Sequence, residues 1–106
     1  MTPAQVNPTS IYLEVAEIRV TDPIGFEAAV TAARPHFLAA EGCLGLSLHR
    51  LVEAPDTYRL LVKWRSVEDH TVTFRASEGF QKWRELASPF FAGPPSVTHS
   101  AAVDLD

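Results

Sequence analysis

Between Tyr58 and Trp83 the hydrophobic pattern changes from strand spacing to helical spacing, and this switch constrains the fold more than any other stretch. Tyr58, Leu60, Val62 and Trp64 alternate onto one face of a strand, because side chains in a strand have period two. Ser66 follows as a candidate helix cap, with Asp69 three residues on as a weak form of the capping box. His70 then falls about one turn into the helix. Ser77 reads as a second cap, and Phe80 and Trp83 lie three apart on the next helical face. The stretch aims two tryptophans, several phenylalanines and a histidine at one space, which reads as a pocket.

The rest of the chain supplies partners for this unit. Ser10 to Val20 reads as a first strand, with Tyr12, Glu14, Ala16, Ile18 and Val20 on one face and Leu13, Val15, Glu17 and Arg19 on the other. Asp22 and Pro23 suit the N-cap and first position of a helix. Phe26, Val30, Ala33 and Phe37 continue it as one apolar stripe. Pro35 should remove a hydrogen bond and loosen the helix near Thr31, and Gly42 is the expected C-terminal stop. Leu44 to Leu51 forms the second strand, with Leu44, Leu46, Leu48 and Arg50 sharing a face. The short turn Glu53–Asp56 leads into the third strand, Thr57 to Trp64, and so implies an antiparallel hairpin. Helices are expected over Val67–Arg75 and Glu78–Ala87, a loop over Phe90–Pro95, and a last strand over Ser96–Val103.

The order β-α-β-β-α-α-β fits a ferredoxin-like α+β fold, a four-stranded antiparallel sheet with helices on one face. A chain of 106 residues accommodates one such domain; residues 10–106 form it, and residues 1–9 read as an irregular tail. The other sheet face carries Leu13, Val15 and Leu61, a patch that points to an interface. The expectation is a homodimer packed sheet to sheet. Glu17, Arg19, Arg59 and Lys63 share that face, either pairing across the interface or lying at its solvated rim.

A net charge of −4 argues against a nucleic-acid surface. No apolar run reaches membrane-spanning length, the start lacks a signal-peptide pattern, and Cys43 is the single cysteine. The expectation is a soluble cytoplasmic protein whose ligand is a small molecule.

Three stretches together resemble the antibiotic biosynthesis monooxygenase family of dimeric α+β barrels. They are Val15-Ala16-Glu17-Ile18-Arg19, then Glu41-Gly42-Cys43-Leu44-Gly45, then Trp64-Arg65-Ser66 followed by His70, Phe74, Ser77, Phe80 and Trp83. The resemblance runs from about Tyr12 to Val103 and rests on order and spacing more than on any one motif. It implies oxidation of phenols, quinols or anthrone-like polyketides by O2 with no metal, flavin or haem. Some members of the family degrade haem instead. Those carry an asparagine where this chain has Ile18 and an axial histidine near the position of Arg84, so the resemblance to that branch fails at two of its three haem-site positions; Trp64 is kept.

Cofactor-free oxygenation needs a base, a stabilised anion and a dry cavity. His70 is the first candidate base, the alternative being a surface or capping histidine. Glu14 is a second if its strand face lines the pocket. Trp64 bounds the pocket and donates its indole N–H to a substrate oxygen, or is plain core. Phe37, Phe74, Phe80, Trp83 and Phe90 are candidate aromatic walls, each also explicable as core. Tyr58 is a candidate donor and Arg84 a candidate oxyanion partner. His36, His49 and His99 lie on separate elements without metal-ligand spacing; no nucleotide loop or hydrolase elbow is present. No cofactor is expected. The leading expectation is a cofactor-independent monooxygenase. The alternatives are a non-catalytic barrel binding a hydrophobic ligand, and an isomerase or lyase on the same scaffold.

Overall fold

The computed structural model describes residues 11–105, so the tail expected over residues 1–9 and the start of the first strand at Ser10 lie outside the described residues. Four strands, β1 (Tyr12–Arg19), β2 (Cys43–Arg50), β3 (Thr57–Trp64) and β4 (Ser96–Ala101), form one antiparallel sheet in the order β2-β3-β1-β4. Helix α1 (Pro23–Leu38) crosses from β1 to β2, and α2 (Glu78–Ala87) returns from β3 towards β4. This is the expected ferredoxin-like α+β fold.

The two central strands are adjacent in space and read in period two. Ala16, Ile18, Tyr58, Leu60, Val62 and Trp64 are buried under the helices, while Val15, Glu17, Arg59, Leu61 and Lys63 face the other way, half-buried or exposed. From α1, Phe26, Ala29, Val30, Ala33 and Phe37 close the core, and Trp83 and Ala87 join from α2. The Trp83 ring meets Phe37 edge-on at 5.3 Å. Each large apolar side chain so buried contributes roughly 1.5–3 kcal/mol. Asp22 caps α1 by accepting the Gly25 N–H at 3.2 Å, and Ser77 caps α2 by accepting the Phe80 N–H at 3.2 Å.

Three local expectations are corrected. Helix α1 runs on through Pro35 but ends at Leu38, before the expected stop. Gly42 instead takes φ +79° in the turn before β2, where a Cβ would collide with the Asp69 carboxylate. In β2 the pairing with β3 slips between Cys43 and Gly45. Leu44 is the extra residue of this bulge, so it is 55% exposed and leaves the core face to Cys43, Leu46 and Leu48. On the open face of the sheet, Glu17 and Arg59 pair with each other within the chain at 3.0 Å, across the β1–β3 register.

The third correction concerns Val67–Arg75. Ser66 does accept the Asp69 N–H, at 3.1 Å. The chain then winds into a π-helical turn, Asp69–Phe74, and not an α-helix. The Arg75 N–H reaches back five residues to the His70 carbonyl at 3.2 Å. The wider turn brings Asp69, His70 and Phe74 all to the interior. Such turns inside helical segments recur at functional sites. Asp69 is held there by Arg65, 3.2 Å from its Nε, not by a reciprocal bond within a capping box.

Candidate functional site

Glu14 projects from the middle of β1 onto the buried face of the sheet and is only 4% exposed. Opposite it in β3 lies Val62, one pleat from Trp64, and opposite it in β4 lies His99. These registers, together with the π turn, bring four polar side chains into one group. The Trp64 indole N–H donates to Glu14 Oε1 at 2.9 Å. His70 Nε2 lies 3.3 Å from the same oxygen. On its far side, His70 Nδ1 lies 2.8 Å from His99 Nε2. The His70 ring stacks on Trp64 with centroids 5.3 Å apart and planes 19° apart, which fixes the direction of both its nitrogens.

Burial sets the electrostatics. Loss of solvent pushes the Glu14 carboxyl from 4.5 up to about 7, against the opposing pull of the Trp64 hydrogen bond and the Arg75 charge. Loss of solvent likewise pushes His70 from 6.5 down to about 4, helped by His99 and by Arg75. His99, half-buried at the sheet edge, is lowered by burial and then by Arg75. At neutral pH the imidazoles are therefore neutral, and the carboxyl sits close to its midpoint. A carboxyl group at midpoint near neutrality can both take and return a proton.

Glu14 and His70 open on a cavity of about 350 Å³, within the usual size range of small-molecule sites. Its lining contains Glu14 and His70 among the aromatic walls Phe37, Phe74, Phe80, Trp83 and Phe91, with Ile18 and Leu60 beneath. Arg75 and Arg84 add two cations to the lining.

The sequence-derived candidates divide accordingly. Glu14, His70, Phe37, Phe74, Phe80, Trp83 and Arg84 all line this one cavity. Trp64 does not; it is fully buried behind Glu14, and its N–H, expected to reach a substrate oxygen, is taken up by the carboxylate. Tyr58 lies away from the cavity, where its hydroxyl donates to Glu27 at 2.5 Å and accepts from Arg50 Nε at 3.1 Å. Its strand position places it opposite Ile18, near the start of α1. Phe90 packs over Gly25 at the N-terminus of α1, while its neighbour Phe91 takes the wall position. Both rings pack against the core, Phe90 from the end of the short 3₁₀ turn Ser88–Phe90.

Sequence reasoning missed His99, Arg75 and Phe91. His99 alternates with Val97 and Ala101, so its face was legible; its partner depended on the β1–β4 register. Arg75 ends the π turn, whose extra residue per turn no helical periodicity anticipates.

The chain matches the model of the family described as antibiotic biosynthesis monooxygenase over residues 12–86. A crystal structure of a Bordetella bronchiseptica protein bearing that family's name is 46% identical and superposes with a TM-score of 0.86, covering 89% of this chain and 98% of the other. A Nitrosomonas europaea protein of the same designation shares the fold with a TM-score of 0.78 at 14% identity, over 92% of this chain and 95% of its own. The uncharacterised Bacillus subtilis protein YczJ is 38% identical over 74 residues, 70% of this chain and 78% of its own.

Proposed function

This chain belongs to the antibiotic biosynthesis monooxygenase family, and on that premise we propose that it oxidises a small phenol-type aromatic with O2, without a dedicated redox cofactor. The observation that carries the reading is a carboxyl–imidazole pair, Glu14 and His70, set into the wall of an otherwise aromatic cavity. A purely binding cavity has no need of a buried carboxyl whose desolvation is so incompletely offset.

Each group has a distinct task. Phe37, Phe74, Phe80, Trp83 and Phe91 stack against the substrate ring and keep water out. Glu14, in its ionised form, takes the proton of the substrate hydroxyl, with His70 holding the carboxylate in place and sharing the proton. Arg75 and Arg84 face the cavity with positive charge, which favours the phenolate over the phenol. The electron-rich phenolate then reduces O2. One oxygen atom forms a new C=O bond at a ring C–H carbon and the other leaves as water, so a phenol plus O2 gives a quinone plus water. The substrate supplies all four electrons, and the balance requires no external reductant. Trp64 acts at one remove, fixing Glu14 through its indole N–H. We also propose that two copies assemble through the open sheet face, where Leu13, Val15 and Leu61 stay only half-buried in the single chain.

The test is oxygen uptake by metal-stripped protein with a panel of phenols, hydroquinones and anthrones, run in ¹⁸O2. Protein-dependent uptake with one labelled atom in the quinone and one in water supports the proposal. Hydrogen peroxide as the product in place of water overturns monooxygenation. Tight binding of the panel with no uptake makes the chain a binding module, and turnover without O2 makes it an isomerase or lyase.

A further inference from the structure

A base at the bottom of a cavity has a disposal problem. Glu14 and His70 are each 4% exposed, and an aromatic ligand filling the cavity would cover their open side. A proton taken from the ligand must leave by another way, and a proton returned to a reduced oxygen species must enter by one. Two of the three linked groups have no route of their own. His99 has one, because it lies on β4, the edge strand of the sheet, and is half-buried, not enclosed. It also stands outside the lining of the cavity.

We infer that Glu14, His70 and His99 form a proton relay between the cavity and solvent, with His99 as its outer port. The geometry supports one such path among the described residues. Glu14 Oε1 lies 3.3 Å from His70 Nε2, and His70 Nδ1 lies 2.8 Å from His99 Nε2. Each imidazole has one nitrogen turned inwards, so each can accept on one side and donate on the other. The stacking of His70 on Trp64 and the pairing of Glu14 with His99 across the β1–β4 register keep the three groups in line. The charged and titratable neighbours are Arg75, whose charge acts on all three members, Arg84 across the cavity, and Cys43 on β2, whose thiol is raised by burial and by Glu14.

The transfer balances without charging His70 at either end of the process. With Glu14 protonated, its O–H donates to His70 Nε2, and His70 Nδ1–H donates to His99 Nε2. Moving each proton one place outwards leaves Glu14 ionised, His70 carrying its proton on Nε2, and His99 protonated on both nitrogens. His99 then releases its Nδ1 proton to water. Both imidazoles have now changed tautomer. A proton entering at His99 runs the sequence backwards and restores them. An oxidation that first removes a proton from its substrate and later supplies one to oxygen would reset the relay in each cycle.

The inference rests on the reading of Glu14 as the cavity base, but its primary test needs no substrate. Side-chain ¹⁵N NMR of the full chain between pH 5.5 and 8.5 reports which nitrogen of each histidine carries the proton. The expected result is that His70 and His99 change from the Nδ1–H to the Nε2–H form together, as Glu14 ionises near pH 7. In Glu14→Gln that concerted change disappears. A His70 that keeps one tautomer throughout, or a His99 that titrates independently of Glu14, overturns the relay. The kinetic arm uses any substrate found by oxygen uptake: His99→Ala should lower kcat at least about tenfold with KM unchanged, and added imidazole should restore it. Loss of activity that imidazole does not rescue overturns the role of His99 as port. If no substrate is ever oxidised, the proposed activity falls, while the NMR result still decides the relay.

Discussion

The stability of this protein should be nearly independent of the Glu14–His70 pair across mildly acidic pH, and each single substitution in the pair should expose a large pH dependence of opposite sign. The Glu14 carboxyl is raised from 4.5 to about 7, so the folded chain holds its proton more tightly than the unfolded chain. Its contribution to stability is full below pH 4.5 and is lost as pH rises through about 7. His70 is lowered from 6.5 to about 4, so its contribution is full above pH 6.5 and is lost as pH falls through about 4. At about 1.4 kcal/mol per pKa unit, each displacement is worth about 3 kcal/mol. Over the shared range the two effects run in opposite directions. Native and unfolded chains each hold close to one proton on the pair, wherever in the pair the native proton sits. Their sum should stay flat to within about 1 kcal/mol.

Removing one member breaks the cancellation. Glu14→Gln should gain about 3 kcal/mol relative to its own value as pH is raised from 4 to 7, because only the His70 effect remains. His70→Asn should lose about 3 kcal/mol between pH 4.5 and 7.5, because only the Glu14 effect remains. Urea denaturation at one protein concentration, repeated at half-unit pH steps, measures all three profiles. Titrating groups remote from the pair contribute the same background to each protein and drop out of the differences, and His99, which contacts His70, is followed separately by NMR. Three parallel profiles would refute the assignment of a buried neutral pair. So would variants that change in the same direction.

Other perturbations separate the cavity from the scaffold. Trp64→Phe deletes the donor that holds Glu14 down; the carboxyl should titrate above pH 7 in ¹³C NMR, and stability should fall by about 1–3 kcal/mol. Gly42→Ala forces an L side chain onto φ +79° and into the Asp69 carboxylate, costing about 1–3 kcal/mol in denaturant unfolding. Gly93→Ala, with open space at its Cβ position, should be near neutral in the same assay. Tyr58→Phe unties Glu27 and Arg50 and should cost about 1 kcal/mol, yet leave the affinity of an aromatic cavity ligand unchanged in a Trp-fluorescence titration.

Periodicity read from the chain alone identified the architecture and most of the cavity wall. Tyr58 to Trp64 and Tyr12 to Val20 alternate cleanly, and α1 carries a single stripe, so their inward faces come from repeats of two and about 3.6 residues. The caps at Asp22 and Ser77 are equally local, each a side-chain oxygen reaching an N–H three residues on. Phe37, Phe80 and Trp83 were placed by the same rules. Those rules extend over a few residues, and they fail where an extra residue enters the repeat. The bulge at Leu44 turned an expected core leucine outwards, and the π turn at Asp69–Phe74 brought His70 inside and made Arg75 a neighbour of the buried pair.

What the sequence by itself determined is therefore which faces turn inwards and that Glu14 and Trp64 stand on them, because burial of apolar surface tracks local repeats; the π turn added His70. Only the tertiary structure decided their chemistry. The β1–β4 register set His99 opposite Glu14 across most of the length of the chain, and packing removed the water that would otherwise hold the carboxyl and imidazole at their ordinary pKa values. Desolvation and cross-strand register are properties of what surrounds a residue in space, and residues so far apart in sequence carry no local mark of meeting.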